Sequence, residues 1–236
     1  MLEVGYSMVW IVVIIPAFNE EQAIGKVLAD IPGDIACEIV VVDNNSSDAT
    51  AEIARKAGAT VVHELRRGYG FACLRGIEHV RATSQKADVI VFLDADYSDY
   101  PGEMADLVQP IIRKNYDLVI GSRLSGQGYR TAMSLHQIFG NRVVTTLIRL
   151  FYGACYTDLG PFRAIKFDKL LELGMTEKTY GWTAEMQVKA AKHRFRYCEV
   201  PVSYRPRIGT SKISGTARGT FLASYSIVKT ILRYSL

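Results

Sequence analysis

Short apolar runs alternate with longer stretches of mixed polarity over the first hundred residues. The runs at 8–15, 38–42, 59–63 and 88–93 are rich in Val and Ile and predict strands with little solvent-facing surface. Between them the polar and apolar positions take helical spacing. One helix is predicted from Asn19, with Asn19 and Gln22 as a capping box, to about residue 31. A second runs from Ser47 to about 58, with an Asx-type turn at Asp48, and a third covers 68–83. Strands separated by such helices predict a parallel α/β sheet, and ligands of such sheets bind beyond the carboxyl ends of the strands.

The alternation weakens after residue 100. Residues 101–115 read as a helix that Pro110 kinks or splits. Residues 117–120, 164–166 and 196–204 read as strands, the last interrupted by Pro201. The Gly-rich stretch 124–131 predicts a mobile loop, and 205–215 a loop rich in Arg, Gly and Ser. Long amphipathic helices are predicted over about 134–152 and 217–234. No linker, repeat or low-complexity tract interrupts the 236 residues, so the expectation is one domain with two lobes, 1–121 and 122–236.

Composition narrows the class. With 49% hydrophobic and 22% charged residues the chain does not read as disordered. The four cysteines form no Cys-x-x-Cys pair, which suits reduced core residues better than zinc ligands. The longest apolar run, 8–15, is too short to span a bilayer, so a cytoplasmic protein is expected, free or peripheral on the cytoplasmic face of the membrane. Charge is uneven: residues 163–218 hold twelve Lys/Arg and five Asp/Glu, which makes +7, while the whole chain is +4 and the remainder therefore −3. A basic third beside an acidic site points to an anionic partner, a phosphate group or an anionic membrane surface. No aromatic stacking motif interleaves with the basic residues, so nucleic acid is not expected.

The chemistry concentrates at Asp94-Ala95-Asp96, which closes the predicted strand at 88–93. Carboxylates two apart at a strand end point to the same side, and like charges in a half-buried place need a cation. Mg2+ or Mn2+ holding a phosphorylated ligand answers this, since such ions take one or two carboxylates plus phosphate oxygens. Two carboxylates on a solvated turn is the alternative. Gly68-Tyr69-Gly70, after Arg66-Arg67, could face a diphosphate with its backbone N–H groups or form a flexible turn. Neither a Gly-x-x-x-x-Gly-Lys-Ser/Thr loop nor a Gly-x-Gly-x-x-Gly fingerprint occurs.

In order and spacing, Ile15-Pro16-Ala17-Phe18-Asn19-Glu20, Val41-Val42-Asp43-Asn44-Asn45-Ser46-Ser47-Asp48-Ala49-Thr50, Arg67-Gly68-Tyr69-Gly70, Asp94-Ala95-Asp96 and Gly121-Ser122-Arg123 resemble the family 2 glycosyltransferases. Later blocks, 141–163 and Arg205-Pro206-Arg207-Ile208-Gly209-Thr210-Ser211-Lys212, resemble the branch that loads sugars onto dolichyl or other polyprenyl phosphates. The chain departs from the pattern at Asp43-Asn44, where the family has Asp-Asp, and at Leu159-Gly160-Pro161-Phe162-Arg163, where that branch has Thr-Ser-Gly-Phe-Arg.

The resemblance implies the GT-A nucleotide-sugar-binding fold and a metal-dependent inverting transfer from a UDP- or GDP-sugar. It puts Pro16, Ala17, Asn19, Glu20, Asp43, Asn44, Arg67, Gly68, Asp94 and Ala95 at the nucleotide. Asp96, with Asp94, would hold Mg2+ or Mn2+; Arg123 would bind phosphate or sugar; Glu185, or else Asp158, would stand where relatives that glycosylate hydroxyls place a base. Arg163, Arg205, Arg207 and Lys212 would take an acceptor phosphate, since a guanidinium fork matches phosphate oxygens. For Glu185 the alternative is an i,i+4 pair with Lys189, and for Arg123 a surface ion pair. The two amphipathic helices suit a membrane interface, with core packing or a homo-oligomer contact as alternatives. Transfer to a hydroxyl, a nucleotidyltransferase and a non-catalytic nucleotide- or membrane-binding module stay open beside the lipid-phosphate acceptor.

Overall fold

The computed structural model describes residues 3–4, 7–83, 87–209 and 227–234. Strands β1 (Glu3–Val4) and β2 (Ser7–Met8) form a small antiparallel pair. The first half of the main sheet comes from β3 (Ile11–Ala17), β4 (Glu38–Asp43), β5 (Thr60–His63) and β6 (Val89–Phe92), connected through helices α1 (Ile24–Ala29), α2 (Thr50–Lys56) and α3 (Tyr69–Ala82). A 3-10 turn (Pro101–Glu103) leads into α4 (Met104–Lys114) and β7 (Leu118–Ser122). Then come α5 (Tyr129–Ala132), α6 (Leu135–Tyr152), β8 (Arg163–Lys166), α7 (Phe167–Leu173), α8 (Trp182–Lys192) and β9 (Tyr197–Pro201). Residues 227–233 are helical.

The seven strands lie in the order β5-β4-β3-β6-β8-β7-β9. Pairing is parallel except for β8, which is antiparallel to both β6 and β7. The sheet is thus mostly parallel, with helices on both faces. Strand alternation divides the core: Val12, Ile14, Val40, Ile90, Phe92 and Ile120 pack under α3, α6, α7 and α8, while Ile11, Val13, Val41, Val91 and Val119 pack under α1, α2 and α4. Trp182 seats α8 on the sheet by an edge contact with Phe92, ring centroids 5.9 Å apart.

Several boundaries differ from expectation, each for a local reason. The first main-sheet strand starts at Ile11 and runs through Pro16 to Ala17. Pro16 is tolerated because its ring nitrogen faces the β6 side, where register ends at Ile14–Phe92, so no ladder bond is lost. The capping box at Asn19 does not form. Asn19 has a left-handed backbone (φ 53°) and gives its side-chain oxygen to the Ser47 N–H at 2.8 Å, so α1 begins four residues after Glu20 with Ala23 as cap. Ser47 does not cap α2 either; the Asp48 carboxylate accepts from the Thr50 N–H at 3.0 Å in the expected turn. Pro110 lies within α4 without splitting it. The Gly-rich stretch near 128 is packed, not loose: Tyr204 N–H bonds Gln127 O at 2.8 Å, and a Cβ on Gly126 or Gly128 would strike the carbonyls of Val202 and Tyr204. The helix expected over 134–152 is present, with Ser134 and Gln137 closing a capping box. Of the final helix, 217–226 lies outside the described residues.

Candidate active site

A cleft of ≈ 360 Å³ opens at the carboxyl ends of β3, β4 and β6. Pro16, Ala17 and Glu20 form one wall, and Asn44, Arg67, Gly68 and Tyr69 another; Asp94, Ala95 and Asp96 lie at its base, and Thr179, Tyr180 and Arg207 close the far side. Nine of the expected nucleotide or metal residues therefore meet in one place.

The loop after β6 is held hard. Asp96 Oδ1 accepts from Ser98 N–H at 3.0 Å and from Ser98 Oγ at 2.6 Å. Tyr97 takes a left-handed backbone (φ 63°), rare for an aromatic residue, and persists because its neighbours fix it. Its hydroxyl bonds Asp30 Oδ2 at 2.7 Å, and the Arg205 guanidinium stacks 3.3 Å from its ring centre. Backbone bonds Arg205 N–H to Ser98 O and Ile208 N–H to Asp96 O splice the 205–208 segment beside this loop.

Charge in the cleft is unbalanced toward the negative. Burial first, and then the Asp96 charge, push the Asp94 carboxyl up to about 7 against the pull of the Tyr69 hydroxyl, Arg123 and Arg207. Asp94 Oδ1 and the neighbouring Tyr69 hydroxyl are both buried, and neither makes a well-formed hydrogen bond. Arg207 supplies the nearest cation: its guanidinium bonds Glu20 Oε1 at 2.6 Å and lies 3.3 Å from Asp96 Oδ2. Among the described residues no three His, Cys, Asp or Glu side chains gather to hold a metal by themselves. Two carboxylates, one with an unsatisfied buried oxygen, fit an ion that completes its shell with phosphate oxygens and water, as Mg2+ and Mn2+ do.

Other expected residues sit elsewhere. Asn19 and Asp43 do not line the cleft. Asp43 is buried and bonds His63 Nδ1 at 3.0 Å and the Ser46 N–H at 3.2 Å, and Asn19 is tied to Ser46 and Ser47. Asn44, the departure from Asp-Asp, serves as a clasp: its amide donates to Glu64 O and Arg66 O and accepts from Gly68 N–H. A carboxylate could accept from Gly68 but could not donate to the two carbonyls. Gly68 and Gly70 are needed because the carbonyls of Lys178 and Glu177 press against them, which seats the 176–180 segment on the start of α3.

Arg123 is not at the cleft. Its Nε and Nη2 bond the two oxygens of Asp158 at 2.9 and 2.8 Å, and its N–H adds a third contact at 2.8 Å. Asp158 is fully buried; burial works to raise its pKa, but Arg123 overrides it and holds the carboxyl below its ordinary value. Arg163 is also buried. It donates to the carbonyls of Gly160, Leu159 and Thr183, and burial pushes it down to about 10, so it is a packing residue and not an acceptor ligand. Arg205 is spent on the carbonyls of Tyr97 (2.6 Å) and Asp99 (3.1 Å). Of the expected acceptor cluster only Arg207 faces the cleft; Lys212 lies outside the described residues.

Glu185 is corrected too. It is fully buried in α8 and accepts from the Thr176 and Glu177 N–H groups, the Thr176 and Tyr234 hydroxyls, and Lys189 at 2.8 Å. A carboxylate so fully occupied orders the 176–177 turn and is a poor base. Glu185→Gln is expected to lower stability by about 1.5–3 kcal/mol, seen as a lower thermal midpoint, with kcat of the folded enzyme nearly unchanged. A large kcat loss at full folding would return Glu185 to the chemistry.

Sequence reasoning missed Tyr69 as a wall residue, although it lies inside the quoted Gly-Tyr-Gly, and missed Thr179, Tyr180 and Asp99. Asp99 is buried beside the cleft with both carboxylate oxygens unpartnered, and burial, then Asp94, pushes its pKa well up. Its single signal was a third aspartate three residues after Asp96.

Comparison with known proteins bears on the family and the fold. The family model described as "Glycosyl transferase family 2" matches residues 12–174, which span every cleft strand. A dolichyl-phosphate hexose transferase of Haloferax volcanii is 36% identical over 235 residues, covering 98% of each chain. A UDP-N-acetylglucosamine–dolichyl-phosphate N-acetylglucosaminyltransferase of Methanococcus voltae is 28% identical over 213 residues, covering 81% of this chain and 84% of its own. The crystal structure of glucosyl-3-phosphoglycerate synthase from Mycobacterium tuberculosis, with Mn2+, UDP and glucosyl-3-phosphoglycerate, superposes with a TM-score of 0.74 at 21% identity, covering 100% of this chain and 86% of that one. The fold is therefore the GT-A type, and the family model over 12–174, with 36% identity to a hexose transferase along nearly the whole chain, makes the protein a member of glycosyltransferase family 2, an enzyme that transfers glycosyl groups.

Proposed function

We propose that the enzyme moves a hexosyl group from a nucleotide-diphospho-sugar to a lipid phosphate of the polyprenyl type, with inversion. The observation that carries this is the Asp94–Asp96 pair, half-buried in a cleft, with a buried Asp94 oxygen that no well-formed hydrogen bond satisfies. Mg2+ or Mn2+, held by Asp96 and Asp94, would stabilise charge on the departing diphosphate. The chain's own groups account for the rest. Pro16, Ala17 and Asn44 shape the nucleotide wall, and Arg67, which lies 3.6 Å over the Phe18 ring, stands at its rim. Arg207 is placed to leave Glu20 and Asp96 for phosphate oxygens. An oxygen of the acceptor phosphate bonds the anomeric carbon as the carbon–oxygen bond to the diphosphate breaks on the opposite face, releasing nucleoside diphosphate.

A phosphate acceptor is favoured over a hydroxyl because both candidate bases, Glu185 and Asp158, have their oxygens occupied. A phosphate monoester, with a second pKa near ~6, attacks without one. The names of the two lipid-phosphate relatives support the same choice, and the Mn2+ and UDP of the structural neighbour support the donor and metal. No helix among the described residues is long and apolar enough to cross a membrane. The test is to supply UDP- and GDP-hexoses with Mg2+ or Mn2+, offering polyprenyl phosphate or hydroxyl acceptors. The expected products are a polyprenyl-phosphate hexose and nucleoside diphosphate. Transfer to a hydroxyl with none to the lipid phosphate overturns the acceptor assignment.

A further inference from the structure

Helix α6 carries an exposed apolar stripe. Leu135, Phe139 and Leu150 are 81%, 71% and 74% exposed, and Val143 is 39% exposed. At about 100° per residue these four fall within an arc of about 80°, opposite the buried Asn141, Val144, Thr145 and Ile148. Arg142 and Arg149, both exposed, border the stripe on one side. Residues 118–157 contain four arginines and not one Asp, Glu or Lys. A solvated helix face with no function would not present three large hydrophobes this openly beside cations alone.

We propose that this face of α6 lies on an anionic bilayer surface, Leu135, Phe139, Val143 and Leu150 entering the headgroup–acyl boundary and Arg142 and Arg149 meeting lipid phosphates. The pattern is that of a helix lying in the interface plane. A second copy of the chain is a poorer occupant: an antiparallel twofold contact along the stripe would gather the arginines of both copies at one edge, and a parallel one would set them against a helix without a carboxylate, so neither pairs them. The inner face of the same helix is bolted to the segment that carries Asp158. The Asn141 side chain bonds Thr157 O at 3.0 Å and the Leu159 N–H at 2.9 Å, on either side of Asp158. Seating α6 on lipid would thus anchor the segment that holds Arg123. The proposal supplies the lipid-phosphate acceptor with a docking face, but it rests on the surface alone.

The test is vesicle co-sedimentation without donor or metal, so its outcome is independent of transfer. Wild type is expected to sediment with vesicles of phosphatidylcholine mixed with phosphatidylglycerol, and less so at high salt. Phe139→Ser/Leu150→Ser should lower the partition coefficient at least roughly tenfold. Arg142→Ser/Arg149→Ser should lower it about fivefold per arginine on the anionic vesicles alone. Unchanged thermal midpoints show that the variants are folded. Absence of binding by wild type, binding indifferent to anionic lipid, or variants that partition like wild type overturn the proposal. A wild-type dimer in ultracentrifugation that Phe139→Ser/Leu150→Ser dissociates, with no vesicle binding, gives the face to a second copy.

Discussion

Asp96→Asn is expected to lower kcat about a thousandfold while the thermal midpoint stays near that of wild type. The substitution keeps an oxygen for Ser98 N–H and Oγ, so the loop geometry survives. What it removes is the charge that, with Asp94, makes the cleft demand a cation. Loss of a metal's hold on a departing diphosphate costs several kcal/mol of transition-state stabilisation, and ~4 kcal/mol is about three powers of ten in rate. Steady-state turnover with saturating Mg2+ or Mn2+ checks it. A rate within a few-fold of wild type would mean that Asp96 does not hold the metal.

The largest stability effect is expected at Asp158, away from the cleft. Asp158→Ala leaves the Arg123 guanidinium, only 13% exposed at its side chain, without its bidentate partner. Breaking a buried pair from one side costs about 3–5 kcal/mol, because the remaining charge stays desolvated. In a domain of this size that lowers the midpoint by roughly 10 °C. Asp158 is also joined to the fold through its neighbours: Gln187 donates to Asp158 O at 2.8 Å and Glu199 accepts from its N–H at 3.2 Å. A midpoint lowered by less than about 2 °C would show that Arg123 finds another partner or water.

The parallel half of the sheet was legible because β3, β6 and most of β4 are buried on both faces and read as Val/Ile runs, and because α3 and α6 have polar and apolar sides. Asp94 and Asp96 were legible for the same reason, since their position at a strand end follows from the run before them. α8 was not drawn as an element of the pattern because Trp182, Ala184, Met186, Gln187, Val188 and Ala190 are all buried. A helix enclosed on nearly every side shows little helical contrast. The role of Arg123 was hidden by distance in the chain: its partner Asp158 lies 35 residues away, and no spacing rule connects such a pair. For Glu185 the i,i+4 pair with Lys189 was legible and is present, but the contacts from Thr176 and Tyr234 were not. Arg123 and Arg163 were assigned to phosphate by resemblance and by the shape of the guanidinium; in the fold both are buried, and a buried guanidinium is first claimed by carbonyls and carboxylates.

The central claim is that Asp94 and Asp96 hold a divalent cation that in turn holds the nucleotide diphosphate. Calorimetric titration of UDP and GDP tests it most directly, with wild type in Mn2+, wild type in EDTA, and Asp96→Asn in Mn2+. Tight binding of one nucleotide in the first titration, and weak binding of that nucleotide in the other two, is the predicted result. Equal affinity in all three would contradict it.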